Sequence, residues 1–568
     1  MSVLSMKDPN QKYSPFKPVD LPDRAWPSGQ ISKAPIWCSV DLRDGNQALP
    51  APMNPEEKLE LFNLLVDIGF KEIEVGYPAA SESEYAFIRQ LIEHNQIPGD
   101  VTLQVMTPCI ESLIDLTFRA IEGAPRVILH FLNSTSPIQR KLVYNADEDA
   151  TVALAVNAAA QIRRLGDEAQ KKGVKLIYEY TPESFSETEP EFAVRIVEEV
   201  LTALGASASD PAIVNLPATV EKCLPNQFAD QIEWFSRRVK GRERFILSVH
   251  PHNDRGSAVA ATELSLLAGA ERVEGTLFGS GERTGNVDLV TLALNLYTQG
   301  VHPGLNFGDI NRIRDIYQAA THQQIGPRQP YVGEFVYTAF SGTHQDAILK
   351  VADYRKKRRL TSWQVPYLPI DPSDVGRQYE PIIRINSQSG KSGAGFILET
   401  RFGYKLPKAM LPELSRFVKE AANRESAELS GDSLFQLFNG EFIRVDTPYE
   451  LKSFRTSYLH EEDDEDNEVI FYGVINFNGE PREVEGKGNG PIDALYNALK
   501  TIGAADYDFL SYDQHALSSG SDSRAIAYIQ LRDRQGRTCF GVGTSKDTRK
   551  ASLRALISAI NRMSKYQD

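Results

Sequence analysis

Two patterns of apolar and polar positions, one typical of strands and one typical of helices, follow each other in turn between residues 36 and 286. Short, nearly continuous apolar runs recur eight times, and longer segments with a helical spacing of apolar residues separate them. The runs lie at residues 37–44, 71–78, 101–108, 126–134, 174–183, 211–220, 244–254 and 272–286. Parallel strands that are buried on both faces have this continuous apolar character. Eight strand–helix units in roughly 250 residues predict a closed (β/α)8 TIM barrel of the α/β class.

The alternative α/β fold is an open, doubly wound sheet. Such sheets commonly carry a GxGxxG motif after the first strand, where the motif binds a dinucleotide. No such motif follows residues 37–44. The closed barrel is therefore the favoured prediction.

The chain beyond the barrel strands has two further parts. Residues 287–325 continue as helix and complete a predicted barrel domain over residues 36–325, after an N-terminal extension over residues 1–35. A less regular helical linker region follows over residues 326–440. Residues 441–568 contain a weak internal repeat, in which two strands lead through glycine-rich segments into a helix. The repeat predicts a C-terminal α+β domain without a catalytic cluster, which suggests binding or regulation.

Composition and charge exclude several classes of protein. The 568 residues carry a formal net charge of −14, which argues against nucleic acid or an anionic membrane surface as the main partner. No apolar run reaches the length of a membrane span, and the polar, proline-rich N-terminus lacks the apolar core of a signal peptide. The four cysteines are far apart and form no CxxC pair. They are typical of a reducing environment, so the expected location is the cytoplasm.

The most informative local pattern is the HxH formed by His250 and His252. In a strand, residues two apart point to the same face, so both imidazoles can approach one metal ion. The alternative is a pair of surface histidines without a ligand. Active sites of (β/α)8 barrels lie at the carboxyl ends of the strands, and the first strand ends in Asp44. Two histidines and one carboxylate leave coordination positions open and suit Zn²⁺, Mn²⁺ or Mg²⁺.

Other polar residues follow the same strand ends. Arg43 lies at the end of the first strand, and the fifth, sixth and eighth strands end in Glu183, Thr219 and Asn286. An open divalent site suits a 2-oxo acid, whose keto and carboxylate oxygens can chelate the ion. Arg43 can then stabilise the oxyanion that develops on the ketone. Glu179 lies inside the fifth strand, where it can be a buried partner of an arginine.

Six motifs are distributed along the chain from the first strand to the linker region. They are DLRDGNQ at 41–47, EYTPESF at 179–185, HPHNDRG at 250–256, GSGERTGN at 279–286, SGTHQD at 341–346 and INSQSGKSG at 385–393. Together they resemble the 2-isopropylmalate synthase family in its longer bacterial form, and the resemblance covers essentially the whole chain. It implies an acyltransferase that condenses acetyl-CoA with 3-methyl-2-oxobutanoate and water, giving 2-isopropylmalate and CoA. This reaction is the committed step of leucine biosynthesis.

The resemblance also implies a ligand set for the divalent metal. Asp44, His250 and His252 match the family's metal ligands, and Asn286 matches a fourth position, directly or through water. The family's loop after the eighth strand usually reads GNGERTGN, and Ser280 stands in place of its first asparagine. This departure affects the detail of the loop and leaves the ligand set intact.

The resemblance also implies roles in substrate binding or catalysis for four residues. Arg43 matches the residue that polarises the ketone, and Glu183 and Thr219 match positions that contact the substrate. His344 matches a residue of acid–base chemistry. The identity of the general base stays open between His344 and Glu183.

The C-terminal domain resembles the family's leucine-binding regulatory domain, which implies feedback inhibition by leucine. The matching positions are Gly488, Gly490, Ile492, Tyr512, Ala516 and Ala525. Glycine-rich turns that open helices can hold a carboxylate on free backbone N–H groups. The alternative is that these glycines form tight turns with no ligand. The resemblance further implies a homodimer in which the linker region lies across the partner subunit.

Three alternative functions stay open. The first is the same reaction on pyruvate or 2-oxoglutarate, which would make the chain a citramalate or homocitrate synthase. The second is a lyase that cleaves an acyl-CoA on the same metal site. The third is a non-catalytic leucine sensor, which the presence of Asp44, His250 and His252 disfavours.

Overall fold

The structure, a computed structural model, describes residues 8–339, 341–379, 391–425, 429–459, 468–517 and 523–565. Residues 385–390 of the INSQSGKSG motif lie outside these ranges. The chain divides into two compact units. The first comprises Met1–Val336 and Ile370–Gln378, and the second comprises Tyr337–Pro369 and Tyr379–Asp568.

The first unit is built on a closed barrel of eight strands in sequential order, which confirms the predicted fold. The strands are β1 (Ile36–Ser39), β2 (Glu72–Gly76), β3 (Thr102–Pro108), β4 (Arg126–Ser134), β5 (Lys175–Glu183), β6 (Ala212–Ala218), β7 (Phe245–Pro251) and β8 (Arg272–Gly275). The helices are α1 (Pro55–Ile68), α2 (Glu82–Glu93), α3 (Glu111–Ala120), α4 (Glu148–Lys171), α5 (Pro190–Leu204), α6 (Pro225–Arg238), α7 (Ala258–Leu267), α8 (Leu289–Thr298) and α9 (Ile310–Thr321). Because the strands are all parallel, their carboxyl ends meet at one end of the barrel.

Helix α1 shows how the local sequence sets the helix bounds. Asn54 and Glu57 form a capping box, in which each side chain accepts a hydrogen bond from the other residue's backbone N–H. Pro55 occupies the first helical position, where its missing N–H costs nothing. Gly69 ends the helix with a φ of 111°, a conformation that favours glycine.

The first and eighth strands are shorter than predicted. β1 ends at Ser39, and Asp41–Gly45 form a single wide helical turn in which the N–H groups of residues 43–45 bond to the carbonyl oxygen of Val40. β8 ends at Gly275, because the following loop needs left-handed backbone at Phe278 (φ 57°). Asp44 and the residues after β8 therefore lie on turns that follow the strands, which strand propensity alone does not reveal.

The second unit combines helices with two small sheets. Its helices are α10 (Gly342–Arg358), α11 (Lys391–Phe402), α12 (Leu411–Glu425), α13 (Gly431–Phe438), α14 (Pro491–Lys500) and α15 (Thr548–Ser564). Its strands are β9 (Tyr449–Leu459), β10 (Glu468–Phe477), β11 (Glu480–Gly488), β12 (Asp508–Ala516), β13 (Ala525–Arg532) and β14 (Thr538–Ser545). The sheet orders are β11-β10-β9 and β12-β13-β14, and each sheet leads into one helix, so the predicted internal repeat is confirmed.

The glycine-rich segments of the repeat are strand positions, and the expectation of turns is wrong. Gly486 and Gly488 lie in β11, and Gly541 and Gly543 lie in β14. A Cβ at Gly488 would come within 2.6 Å of the backbone nitrogen of Ala494, and one at Gly541 within 2.1 Å of that of Ala559. Glycine is needed here because α14 and α15 lie directly on the strands.

The two faces of the second sheet have different neighbours. Ala525, Ala527 and Ile529 belong to the core that includes α14 and α15. Ile526 and Tyr528, on the opposite face, belong to a core with α11, α12 and α13. The helices before the repeat are thus packed against the C-terminal sheet. Among the described helices, none is both long and apolar enough to cross a membrane.

Candidate active site

Asp44, His250 and His252 converge at the carboxyl end of the barrel, as the HxH pattern predicted. The Asp44 Oδ2 atom lies 3.3 Å from His250 Nε2 and 3.7 Å from His252 Nε2. The three candidate ligand atoms all lie within 4.8 Å of one another, and all three residues are buried. The two imidazoles are stacked, with ring centroids 5.3 Å apart. The three atoms are close enough together to hold one metal ion.

The backbone around β7 explains this convergence. β7 ends at Pro251, and the N–H of His252 donates to the carbonyl oxygen of Ala218 at 3.1 Å, which continues the pairing with β6 for one more residue. His250 and His252 therefore keep the alternation of a strand and point to one side. Asp44 reaches the same point from the helical turn after β1.

Asn286 lies beside His252, with which it forms an isolated β-bridge. Its Nδ2 atom donates to the carbonyl oxygen of Ser280 at 3.0 Å, and its buried Oδ1 atom has no hydrogen-bond partner among the described residues. A buried amide oxygen without a donor fits the ligand position that the resemblance implied. Carboxylate, imidazole and amide oxygen donors together fit a divalent cation such as Mg²⁺, Mn²⁺ or Zn²⁺.

Arg43 is held directly beside Asp44. Its Nη1 atom donates to Asp44 Oδ1 at 2.9 Å, and its Nε atom donates to Glu74 Oε2 at 2.6 Å. Burial alone would lower the pKa of Arg43, but Glu74 and Asp44 outweigh it and raise the pKa further. The guanidinium is therefore a fixed cation beside the candidate metal ligands.

The same charges set the protonation of the candidate ligands. Burial would raise the pKa of Asp44, but Arg43 and then His250 outweigh it and hold the pKa well below its ordinary value. Burial would lower the pKa of His250, but hydrogen bonds to Asp44 and Glu274 outweigh it and raise the pKa to about 9. Burial and the neighbouring His250 lower the pKa of His252 to about 4. Asp44 and His252 are thus ready to bind a cation at neutral pH, whereas His250 must first release a proton.

Beneath these residues the barrel interior contains a buried ionic cluster. Its members are Glu74, Gln104, His130, Glu179, Asn215, Arg272 and Glu274, each at most 1% exposed. Glu274 lies behind His250, with its Oε2 atom 2.8 Å from His250 Nδ1. Arg272 donates to Glu274 Oε1 at 2.9 Å and lies 3.3 Å from Glu179 Oε2, so the expected arginine partner of Glu179 is Arg272.

The sequence contains a signal for this cluster inside the strands, although only Glu179 among its members was predicted to be buried. Each of β2 to β6 carries one member at an interior position of an otherwise apolar run. A charged or amide side chain in the middle of a strand that is buried on both faces requires partners inside the barrel. Glu74 connects the candidate metal site to the buried ionic cluster, because it accepts a hydrogen bond from Arg43 and also lies 2.7 Å from His130.

Glu183 and Thr219 lie at the ends of β5 and β6, where they were predicted. The Ser134 hydroxyl donates to the Glu183 carboxylate. Thr219 Oγ1 accepts a hydrogen bond from the backbone N–H of Ser184 at 2.9 Å, and Ser184 has a left-handed backbone with φ 64°. The Thr219 hydroxyl therefore fixes the turn after β5 and keeps its own proton for donation.

His344 belongs to the second unit, near the start of α10. Its ring stacks on that of Tyr367, with centroids 3.8 Å apart and planes 20° apart. Its predicted part in acid–base chemistry stays a prediction.

The six positions predicted to bind leucine are divided between the two halves of the repeat. Tyr512, Ala516 and Ala525 share one face of the second sheet, and the Tyr512 hydroxyl lies 2.8 Å from Ser552 Oγ on α15. Gly488 ends β11, and Ile492, in the first turn of α14, packs against the core. Their role in binding leucine stays a prediction.

The starts of the two helices in this domain, α14 and α15, have different surroundings. Gly490 has an extended backbone with φ −172°, and no atom lies within 4 Å of an added Cβ, so a side chain there meets no clash. The expectation of free donors is wrong for two N–H groups at the start of α15, because Asp547 accepts from those of Arg549 and Lys550. A local acidic residue has taken the place that a ligand was expected to fill.

Comparison with known families defines the class of protein first. Residues 34–316 match the HMGL-like family, residues 334–399 the family described as alpha-isopropylmalate synthase, post-catalytic domain-like, and residues 428–564 the LeuA allosteric (dimerisation) domain. The chain thus combines an HMGL-like barrel with a C-terminal domain of the LeuA type.

Full-length relatives then identify the family. The 2-isopropylmalate synthase of Clostridium acetobutylicum is 48% identical over 551 residues, which cover 97% of this chain and 99% of the relative. That of Rhodospirillum rubrum is 46% identical over 559 residues, with 98% and 100% covered. That of Rhizobium meliloti is 48% identical over 552 residues, with 97% and 98% covered. The chain belongs to the 2-isopropylmalate synthase family and is an enzyme, which confirms the resemblance.

Proposed function

We propose that the enzyme condenses acetyl-CoA with 3-methyl-2-oxobutanoate and water to give 2-isopropylmalate and CoA, the committed step of leucine biosynthesis. The observation that carries the proposal is the convergence of Asp44, His250 and His252 beside the fixed cation Arg43. A 2-oxo acid that acts as the electrophile needs two kinds of positive charge. A metal ion on the three ligands would hold its keto and carboxylate oxygens, and a cation such as Arg43 would stabilise the negative charge that develops on the keto oxygen. The names of the full-length relatives support the choice of reaction.

Asp44, His250 and His252 would hold a divalent cation, with Asn286 Oδ1 as a further oxygen donor. When bound, the cation would supply Lewis-acid polarisation of the keto group. Glu274 keeps His250 oriented through the hydrogen bond to Nδ1, and Arg43 supplies a donor beside Asp44.

The chain's own residues also have to move protons. The methyl group of acetyl-CoA is a weak acid, so a positioned base must accept one of its protons. Glu183, at the end of β5, and His344 are the two candidates. Arg43 stabilises the oxyanion that develops on the ketone, because Glu74 and Asp44 hold its guanidinium in place before the substrate arrives.

Regulation and assembly complete the proposal. We infer that leucine binds the C-terminal repeat and inhibits the enzyme, and that the enzyme is a homodimer. The match of residues 428–564 to the LeuA allosteric (dimerisation) domain supports both inferences. A cytoplasmic location is supported by the four cysteines, all of which are buried and unpaired.

A thiol-release assay with acetyl-CoA and a panel of 2-oxo acids tests the reaction. Turnover should be fastest with 3-methyl-2-oxobutanoate, should cease when the metal is chelated and should return when Mg²⁺ or Mn²⁺ is added. His252→Ala should abolish both metal binding and turnover, whereas His94→Ala, an exposed histidine after α2, should change neither. Faster turnover of pyruvate or 2-oxoglutarate would reassign the substrate, and an active metal-free His252→Ala enzyme would refute the site.

A further inference from the structure

The second unit contains a cavity of about 530 Å³ that none of the predicted site residues lines. Its walls come from α13 and the segment before β9, from β9 and β14, from the residues that flank β12 and β13, and from α15. A volume of this size accommodates a small organic molecule. The cavity is separate from the barrel, since all its lining residues belong to the second unit.

Three arginines from three different segments open into this cavity. Arg444 precedes β9, Arg524 precedes β13 and Arg554 lies on α15. Arg524 Nη2 donates to the hydroxyl of Thr544 at 3.3 Å, and Arg554 Nη1 donates to the carbonyl oxygen of Thr544 at 2.9 Å. Two guanidinium groups are therefore anchored at one buried threonine, and each guanidinium carries five N–H donors.

Among the described residues, these three arginines lack the close acidic partner that Arg532 and Arg562 have. Within the part of the chain that the structure describes, none of the three forms an ion pair. By contrast, Arg532 pairs with Asp508 at 2.9 Å, and Arg562 with Glu413 at 2.7 Å. In a chain with a net charge of −14, a cavity lined by three arginines that form no close ion pair with a described residue attracts an anion from outside.

The remaining lining indicates what the anion is attached to. Phe435, Leu517 and Ile557 contribute apolar surface to the cavity. Two carboxylates, Asp446 and Glu450, also line it, so the three arginines exceed the acidic residues of the lining by one, and the Glu450 carboxylate is engaged by Lys452 and Asn476. A ligand with a charged head and an apolar or aromatic body matches this distribution.

We propose that this cavity is a binding site for a phosphate monoester with an apolar or aromatic body. Three guanidinium groups approach from different segments, and a tetrahedral dianion can accept hydrogen bonds from three directions. A planar carboxylate is satisfied by one or two such donors, so the number of arginines favours phosphate. The body of the ligand packs against Phe435, Leu517 and Ile557.

Calorimetric titration of the full chain tests the proposal with three probes. Phenyl phosphate has the proposed head and body, benzoate has the same ring with a carboxylate, and inorganic phosphate has the head alone. Phenyl phosphate should bind saturably and more tightly than either of the others. Arg524→Gln and Arg554→Gln should each weaken it about tenfold or more, the scale of one charge-assisted hydrogen bond.

Arg532→Gln is the matched control, because it removes the same charge from the far end of β13, outside the cavity. It should leave the affinity for phenyl phosphate unchanged, and thermal unfolding should show that all three variants are folded. Arg524→Lys, which keeps the charge but loses the fork of donors, should bind with intermediate affinity. Equal binding of benzoate would overturn the ligand class. Absence of saturable binding, or equal affinity in the Arg524→Gln and Arg532→Gln variants, would overturn the site.

Discussion

Glu274 determines the orientation of His250 at the residue scale. Its Oε2 atom lies 2.8 Å from His250 Nδ1, and its Oε1 atom accepts from Arg272 at 2.9 Å and from Gln104 at 2.7 Å. Burial would raise the pKa of this carboxyl, but Arg272 and then His250 outweigh it and hold the pKa well below its ordinary value. An ionised carboxylate behind an imidazole fixes the tautomer that presents Nε2 to a metal.

Glu274→Gln should therefore weaken binding of Mn²⁺ by roughly 10- to 100-fold, the usual effect of losing such a partner. Glu72→Gln is the control, because Glu72 also accepts from Arg272 but does not contact His250. Competition of Mn²⁺ between the enzyme and a chelating dye measures both affinities. Equal Mn²⁺ affinities in the two variants would show that Glu274 has no part in positioning the ligand.

Arg43 should act mainly in the transition state. Because Glu74 and Asp44 already hold its guanidinium, the side chain needs little reorganisation to bind an oxyanion. Arg43→Ala should lower kcat by roughly a hundredfold or more, the scale of losing one oxyanion donor. Steady-state kinetics with 3-methyl-2-oxobutanoate measures this. An unchanged kcat with only a raised KM would assign Arg43 to substrate binding instead.

The sequence allowed site residues to be predicted where they lie at the end of a strand. Asp44, His250 and His252 were predicted together because barrel topology brings strand ends into one place. Glu274 and Arg272 were missed, since their partners come from distant strands and single interior polar residues do not show which partner they meet. Only the closed barrel places Glu274 beside Gln104 and Asn215.

At the scale of elements, helix α14 lies so close to β11 that only glycine fits between them. A Cβ at Gly488 would lie 2.4 Å from the Asp493 carboxylate and 2.6 Å from the backbone nitrogen of Ala494. Backbone atoms of a helix cannot move aside as a flexible side chain can, so α14 would have to shift.

Gly488→Ala should lower the free energy of unfolding by about 1–3 kcal/mol, the usual cost of overpacking, and should weaken leucine binding. Gly490→Ala, two residues further along the chain, is the control. Its added methyl group meets no atom within 4 Å, and the backbone of Gly490 is extended. Thermal denaturation and leucine calorimetry compare the two variants. If both variants bound leucine as the parent does, α14 would have no part in the leucine site.

Strands β9 and β12, each at one edge of its sheet, were not predicted from the sequence. β12 is exposed or half-exposed along its whole length, and its residues show no alternation of buried and exposed positions. Period-two patterning is the main sequence signal of a strand, and an edge strand without a buried face does not have it. The inner strands β10 and β13 were predicted, since both contain apolar runs that the helices cover.

At the scale of the whole molecule, α11, α12 and α13 are part of the same core as the second sheet. Leu414 and Phe438 of these helices share a buried cluster with Tyr528 and Val542. A truncation after residue 440 would leave the linker helices without this core. Leucine regulation is therefore better tested by point substitutions in the full chain than by deletion, and the predicted domain bounds at residues 325 and 440 stay predictions.

Exposed apolar side chains on the edge strands are where we expect the second copy of the proposed homodimer to bind. Phe509, Leu510 and Tyr512 on β12 are 42%, 41% and 45% exposed, and Tyr458 on β9 is 46% exposed. An uncovered strand edge with large apolar side chains invites pairing with another chain, so natural proteins usually cover it. The match of this region to a dimerisation domain agrees with that expectation.

We therefore expect light scattering to give a mass near twice 63.3 kDa for the full chain, with and without leucine. Leu510→Glu should shift the equilibrium towards the monomer on dilution, because it places a charge in the interface that β12 forms. Leu154→Glu is the matched control, since Leu154 is 47% exposed on α4 of the barrel. Size-exclusion chromatography with light scattering over a dilution series compares the two variants. A fully active parent monomer would refute the homodimer, and equal dissociation of the two variants would move its interface away from β12.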